Sequence, residues 1–242
     1  MTRFLELDAT RGIAILCMVI YHAVFDYTFF IQKILDVNSG IVLVIGRTAA
    51  VLFLLLVGIS LTIQYYKLLH NQNSNHSSIF MKRGLFIFGI GLGITLITGI
   101  LFPQYIIWFG ILHLIGASII LSIPLVKHKN ISGILGGIIL LTGAYFYITL
   151  SSGNAFITKL IPILPAQIQT FDYFPLFPWI GIVWIGIFLG HYLYPNGKQL
   201  LQIKKENPVL NFFGFLGKYS LAIYLIHQPI LVGIVLAGKM LF

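Results

Sequence analysis

Four ionisable residues share one face of the first apolar segment of the chain. The stretch LDATRGIAILCMVIYHAVFDY, residues 7–27, contains Asp8, Arg11, His22 and Asp26. At 100° per residue, the four side chains fall within an arc of roughly 60° on a helix. An Asp at the centre of a membrane helix costs about 2.5–3.5 kcal/mol, so this face is predicted to meet a bundle interior or a water-filled cavity rather than lipid.

His22 and Asp26 are the pair with the clearest chemistry. Their i, i+4 spacing allows the two side chains to meet. A carboxylate beside an imidazole fixes its tautomer and stabilises the imidazolium, which is what a general base requires. We therefore predict that His22 is a catalytic base oriented by Asp26. The alternative is an interhelical hydrogen bond that only holds the bundle together.

Asp8 and Arg11 lie about 16 Å or more from His22 along the helix, too far to take part in the same step. An Arg at this edge suits a phosphate group, and we predict that Arg11 and Asp8 belong to the binding site of a long, anionic, cytoplasmic donor.

Further polar residues at membrane depth lie on other predicted helices. Arg47 is predicted to be level with Asp26, where it pairs with Asp26 or Asp172 or helps to bind an acceptor. His113 and His227 are predicted to reach the same cavity and to contribute to donor binding. The spacing of the histidines does not favour a metal site, and no metal is expected.

These residues need elements that place them inside a membrane. The chain of 242 residues is 58% hydrophobic and 9% charged, with a mean hydropathy of +0.97, and its apolar runs reach the length that spans a bilayer. We predict an all-α, polytopic bundle that forms a single domain over residues 1–242. The seven predicted spanning helices cover about 12–30, 41–63, 84–101, 104–124, 131–150, 176–194 and 219–241.

The basic residues indicate topology. Most of the 15 lysines and arginines fall in segments that share the side of the N-terminus, which predicts a cytoplasmic N-terminus and an extracytoplasmic C-terminus. They do not form one patch with exposed aromatics, so the net charge of +9 does not indicate nucleic-acid binding. The longest external segment, 151–175, is a candidate lid or acceptor-binding wall.

Blocks along nearly the whole chain resemble one family. They are LDATRG, MVIYH, FLLLVGISL, FGILHLIG, DYFPLFPWIGI and YSLAIYLIHQPIL. The chain resembles the small prokaryotic branch of the heparan-α-glucosaminide N-acetyltransferase-like proteins. The spacing of Arg11 and His22 is also similar to that in the bacterial membrane acyltransferases that O-acetylate surface sugars.

These resemblances imply an acyltransferase in the plasma membrane. It would take acetyl from cytoplasmic acetyl-CoA and deliver it to an amine or hydroxyl of an extracytoplasmic acceptor, typically a sugar. The CoA phosphates would lie near Arg11 and other basic residues, namely Lys82, Arg83, Lys127 or Lys204. His22 would either deprotonate the acceptor or carry the acetyl group itself.

Two other functions remain open on the sequence. A proton-coupled transporter would use the buried His and Asp as a relay. A membrane scaffold that binds lipid or a partner would use the polar face only for packing. The Gly-rich helix faces also permit a homodimer.

Overall fold

The computed structural model describes residues 4–32, 35–37, 39–71, 75–151, 170–200 and 207–241. These residues form eight α-helices and a 3₁₀ turn at Pro195–Gly197. The helices are α1 Leu5–Phe30, α2 Gly40–His70, α3 His76–Leu101, α4 Ile111–Leu121, α5 Lys129–Ser151, α6 Leu176–Leu193, α7 Pro208–Lys218 and α8 Ser220–Leu241.

Six of the described helices are long and apolar enough to cross a membrane: α1, α2, α3, α5, α6 and α8. Large apolar side chains cover their outward faces, as in Phe86 of α3 and Leu141 of α5. Such faces suit lipid contact because hydrocarbon requires no polar partner. The predicted all-α, polytopic architecture is confirmed.

The fourth predicted span, residues 104–124, is shorter than predicted. Helix α4 begins at Ile111 and has 11 residues, and the stretch before it forms turns instead of helix. Pro103 and Gly110 flank this apolar stretch, and the backbone N–H of Ile107 donates to Thr98 Oγ1 at 3.2 Å. The turns are stable because side chains of neighbouring segments take up their backbone groups.

Other boundaries also differ from the prediction. Helix α2 ends at His70 rather than at about residue 63, and α3 begins at His76 rather than at about residue 84. Helix α1 begins at Leu5 rather than at about residue 12, so Asp8 and Arg11 lie in its first two turns. Helix α7 was not predicted. The side chain of Asn207 accepts from the N–H groups of Val209 and Leu210, and Pro208 occupies the first turn. Both features favour a helix start.

The described residues divide into two compact units. The first contains α1, residues 40–53 of α2, α7 and α8. In this unit α1 and α7 meet backbone to backbone, because a Cβ at Gly12 would collide with the carbonyl of Phe213 and one at Gly217 with the carbonyl of Asp8. Ile15, Met18 and Ala49 form a small core nearby.

The second unit contains residues 54–70 of α2 together with α3, α4, α5 and α6. Glycines again allow close helix contact, as where Gly136 of α5 meets Gly181 of α6 at a Cβ-to-oxygen distance of 2.9 Å. Its core includes Leu54, Leu114 and Val183, all fully buried. Small residues at such contacts are typical of helix packing in membranes.

Candidate active site in the first unit

Helix α1 turns its polar face into the first unit. Asp8 and Asp26 are buried, with 6% and 1% of their surface exposed, and His22 and Arg11 are half-buried. The face is therefore covered by protein at the positions where charge would be most costly in lipid.

His22 pairs with His227 of α8. The Nε2 atom of His227 lies 3.3 Å from Nδ1 of His22, and the ring centroids are 5.0 Å apart. Each ring also faces a carbonyl of its own helix: Nδ1 of His22 lies 3.0 Å from the Met18 oxygen, and Nδ1 of His227 lies 2.7 Å from the Tyr224 oxygen. The pair joins the two helices at one level.

These contacts assign the tautomers. A carbonyl oxygen only accepts, so Nδ1 carries the hydrogen in both rings and Nε2 carries a lone pair. The Nδ1–H of His22 is then shared between the Met18 carbonyl and Nε2 of His227. The Nε2 atom of His22 is left as an acceptor, the state that a general base needs.

The pair can also stabilise a charge. When His22 takes a proton on Nε2, its Nδ1–H becomes a stronger donor, and His227 accepts it through a ring nitrogen. A carboxylate performs this service in the Ser-His-Asp triad. Among the described residues, His227 occupies the position that the carboxylate has in the triad. The sequence analysis predicted that it binds the donor.

Asp26 has a different partner from the one that the i, i+4 spacing suggested. Its Oδ1 accepts from Nε2 of Gln228 at 2.7 Å, and no described hydrogen bond joins it to His22. The other carboxyl oxygen, Oδ2, is buried and has no hydrogen-bond partner among the described residues. Asp26 and His22 lie one helical turn apart on α1. Asp26 is bonded to Gln228 of α8, and His22 contacts the preceding residue of that helix, His227.

At the other end of the face, Asp8 and Arg11 form an ion pair with 2.7 Å between Oδ1 and Nη1. The pair lies at the start of α1, where a carboxylate also interacts favourably with the helix dipole. The backbone carbonyl of Asp8 also makes the close contact with Gly217 of α7. Asp8 and Arg11 thus lie together at the start of α1, away from the histidine pair.

The remaining predicted residues lie elsewhere. Arg47 is an exposed residue of α2 in the first unit, and the hydrogen bonds and ion pairs described for Asp26 include none to it. His113 and Asp172 belong to the second unit. The predicted contact of Arg47 with Asp26 is therefore not among those described.

His113 and Asp172 hold the start of α4. The Gly110 N–H donates to Nδ1 of His113 at 3.2 Å, and the Ile111 N–H donates to Oδ2 of Asp172 at 3.0 Å. On the other side of the ring, Nε2 of His113 lies 3.4 Å from Thr95 Oγ1. These bonds satisfy backbone donors that a helix start leaves without partners.

The sequence analysis did not single out three polar residues with clear partners. Gln228 is one, although a polar residue beside His227 in an apolar span was a signal for it. The others are Tyr66 and His191 of the second unit: the Tyr66 hydroxyl lies 2.8 Å from Nδ1 of His191, whose Nε2 faces the Val126 carbonyl at 2.9 Å. Nothing in their spacing, 125 residues apart, indicated that they would meet.

Some of the elements predicted to bind the donor or the acceptor are exposed on the protein, and others lie outside the described residues. Lys82 and Lys127 are exposed, and Nη1 of Arg83 donates to Gln64 Oε1 at 2.6 Å. Lys204 and most of the candidate lid, 152–169, lie outside the described residues. Within the described part of the chain, no three His, Cys, Asp or Glu side chains are grouped to hold a metal ion.

Comparison with known proteins places the chain in a family. No curated protein and no solved structure matches the chain. The family model described as heparan-alpha-glucosaminide N-acetyltransferase, catalytic, matches residues 3–229, which include all of the residues discussed above. The chain therefore belongs to the heparan-alpha-glucosaminide N-acetyltransferase catalytic family, a family of membrane acetyltransferases, and is a multi-pass membrane protein.

Proposed function

We propose that the protein transfers an acetyl group from cytoplasmic acetyl-CoA to an amine or hydroxyl of an extracytoplasmic acceptor, a sugar or glycan. The observation that carries this proposal is the His22–His227 pair, a neutral base with a built-in acceptor for its Nδ1–H, on a spanning helix of a chain in this family. The proposal includes a plasma-membrane location with the N-terminus in the cytoplasm.

In the proposed reaction, the acceptor attacks the thioester carbonyl of acetyl-CoA. His22 Nε2 takes the proton from the acceptor nitrogen or oxygen as the new bond forms. The bond between the carbonyl carbon and the CoA sulfur then breaks, and His22 returns its proton to the departing thiolate. His227 accepts from Nδ1–H of His22 while the imidazolium exists. In the two-step version, Nε2 of His22 attacks the thioester carbonyl and the C–S bond breaks to release the CoA thiolate. The acceptor then attacks the acetyl-imidazole, the bond from the carbonyl carbon to Nε2 breaks, and the acceptor's proton passes to the thiolate.

Donor binding is proposed at the start of α1. Arg11 would contact a CoA phosphate, and Asp8 would orient Arg11 through the ion pair already present. An Arg held by one carboxylate still has other N–H donors for a phosphate, because a guanidinium carries five.

Acceptor binding is proposed at the outer end of α1, with Arg47 as the candidate contact in the first unit. Asp172, also predicted for this role, belongs to the second unit, where it caps α4.

The experiment is acetyl transfer from radiolabelled acetyl-CoA to glucosamine, which offers both an amine and hydroxyls, by the purified protein in liposomes. His22→Ala is expected to lower kcat by about 10²–10⁴-fold, the contribution of a positioned general base. His70→Ala, which removes an exposed histidine at the end of α2, is the matched control and keeps the wild-type rate. Full turnover by His22→Ala would refute the proposal.

Acetyl-CoA binding separates this function from a transporter. Calorimetry on the wild type and Arg11→Ala is expected to show binding that weakens in the variant. If no CoA ester binds and the protein instead moves protons with a solute, the His and Asp would be a relay as in the transporter alternative.

A further inference from the structure

The buried carboxyl of Asp26 and the amide of Gln228 share one hydrogen bond and lack a second. Gln228 Nε2 donates to Asp26 Oδ1 at 2.7 Å. The remaining oxygen of each group, Asp26 Oδ2 and Gln228 Oε1, is buried without a hydrogen-bond partner among the described residues. When the carboxyl is ionised, both oxygens can only accept, so they cannot form a hydrogen bond with each other.

An ionised Asp26 would be an isolated charge at this place. A carboxylate presents about four lone-pair positions, and here one neutral N–H occupies one of them. Buried charges in proteins are paired, strongly hydrogen-bonded or neutralised. The surroundings of Asp26 therefore decide its state.

Among the described residues, no basic group of the first unit is bonded to Asp26. Arg11 is paired with Asp8, about 22 Å away along α1. Lys239 donates to the Phe30 carbonyl at 3.2 Å, and the contacts described for Arg47, on the part of α2 that packs on α1, include no bond to Asp26. His22 and His227 face each other.

One proton on the Asp26 carboxyl gives both of these oxygens a hydrogen-bond partner. If Oδ2 carries a hydrogen, it becomes a donor and Gln228 Oε1 becomes its acceptor. The carboxylic acid and the amide can then form two hydrogen bonds in a ring, with the observed Nε2–H···Oδ1 bond as one of them. The terminal torsions of Asp and Gln side chains have broad minima, which permits the two groups to turn into one plane.

We infer that Asp26 is a protonated carboxylic acid, and that its two-bond pair with Gln228 is a positioning element that holds α1 and α8 so that His22 meets His227. Gln228 directly follows His227 on α8, and Asp26 lies one turn after His22 on α1. The bonds between Asp26 and Gln228 therefore fix the register in which His22 meets His227. The role in transfer rests on the proposed function, whereas the protonation does not.

Infrared spectroscopy tests the protonation without any assay of activity. The chain has six aspartates and glutamates, so few groups contribute to the C=O stretch of carboxylic acids. At neutral pH the wild type is expected to show this band, and ¹³C labelling of aspartate is expected to shift it. Gln228→Leu is expected to move the band to higher frequency, because both hydrogen bonds to the acid are lost. Absence of an aspartic acid band in the wild type, or a band that Gln228→Leu leaves in place, would overturn the inference.

Asp26→Asn tests the role, since asparagine is the neutral isostere. Its Oδ1 accepts from Gln228 and its Nδ2–H donates to Oε1, so both bonds remain. We expect the band to disappear while kcat stays at the wild-type level. Asp26→Leu removes both bonds and is expected to lower kcat by about tenfold or more. Thr28→Val, which removes another buried oxygen without a partner, is the packing control and should leave the band and kcat unchanged.

Two results would contradict the role. One is a loss of several orders of magnitude in Asp26→Asn at unchanged thermal stability, since an ionised carboxylate that orients a histidine gives that loss when neutralised. The other is wild-type kcat in Asp26→Leu. If no variant, nor the wild type, transfers acetyl, the proposed function has failed, and the infrared band still decides the protonation.

Discussion

Replacement of His227 gives the sharpest test of the histidine pair. In His227→Leu the side chain keeps much of its bulk but no longer accepts from Nδ1–H of His22, a contact of 3.3 Å. The Met18 carbonyl, 3.0 Å from the same nitrogen, remains as an acceptor. The variant therefore removes stabilisation of the imidazolium while it leaves the tautomer of His22 unchanged.

The size of the effect follows from these distances. A hydrogen bond to a charged group contributes about 1.5–3 kcal/mol. The His22–His227 contact is long and shares its hydrogen with a carbonyl, so the lower value applies, and about 1.5 kcal/mol corresponds to a rate loss of about 10-fold. The base itself remains, so the loss is far smaller than the 10²–10⁴-fold or so expected for His22→Ala.

The assay is steady-state acetyl transfer to glucosamine at saturating acetyl-CoA, with thermal unfolding in detergent as a check on folding. Because the bond strengthens only when His22 is charged, kcat and kcat/KM are expected to fall together. His227→Gln is the matched variant, since its side-chain oxygen can accept from Nδ1–H and recover most of the rate.

Two results would refute this reasoning. If His227→Leu is as damaged as His22→Ala at unchanged stability, His227 is itself the base or the acetyl carrier. If His227→Leu keeps the wild-type rate, the pair does not stabilise charge during transfer.

Two predictions concern stability, each measured by unfolding in detergent. Gly217→Ala is expected to lower the free energy of unfolding by about 1–3 kcal/mol, because its Cβ would collide with the carbonyl of Asp8 and force α1 and α7 apart. Gly233→Ala is the control, since nothing lies within 4 Å of its Cβ, and equal stability of the two variants would exclude the close contact. Asp172→Ala is expected to cost about 0.5–2 kcal/mol through the lost cap on α4. Asp172→Asn should retain most of that stability, and an unchanged Asp172→Ala would show that the cap contributes nothing.

The polar face of α1 was predictable because helical periodicity depends only on local sequence. The 100° step per residue grouped Asp8, His22 and Asp26, and the two carboxylates are indeed buried. The partners were not predictable from the same rule. The i, i+4 spacing suggested a bond between His22 and Asp26 within one helix. Instead, His22 pairs with His227, 205 residues away, and Asp26 pairs with Gln228, 202 residues away.

The misjudged boundaries have a common cause. Hydropathy measures composition, and residues 104–110 are as apolar as a helix although they form turns; Pro103 and Gly110 were the local signals of a late start. Helix α7 is too short to register as a span, yet Asn207 and Pro208 form a regular helix start. Side-chain bonds to the backbone decide such boundaries, and composition does not record them.

The distance in sequence between α1 and its partners has a consequence for synthesis. Helix α1 leaves the ribosome well before His227 and Gln228, which follow His22 and Asp26 by 205 and 202 residues. At about 5–20 residues per second, some 200 residues take about 10–40 s to translate. During that time α1 holds His22 and Asp26 in the membrane without their final hydrogen bonds. A protonated Asp26 makes this wait less costly, because a neutral carboxyl enters lipid more easily than a charged one. Helix α8 thus completes the surroundings of α1, and a chain truncated before α8 would leave both residues without these partners.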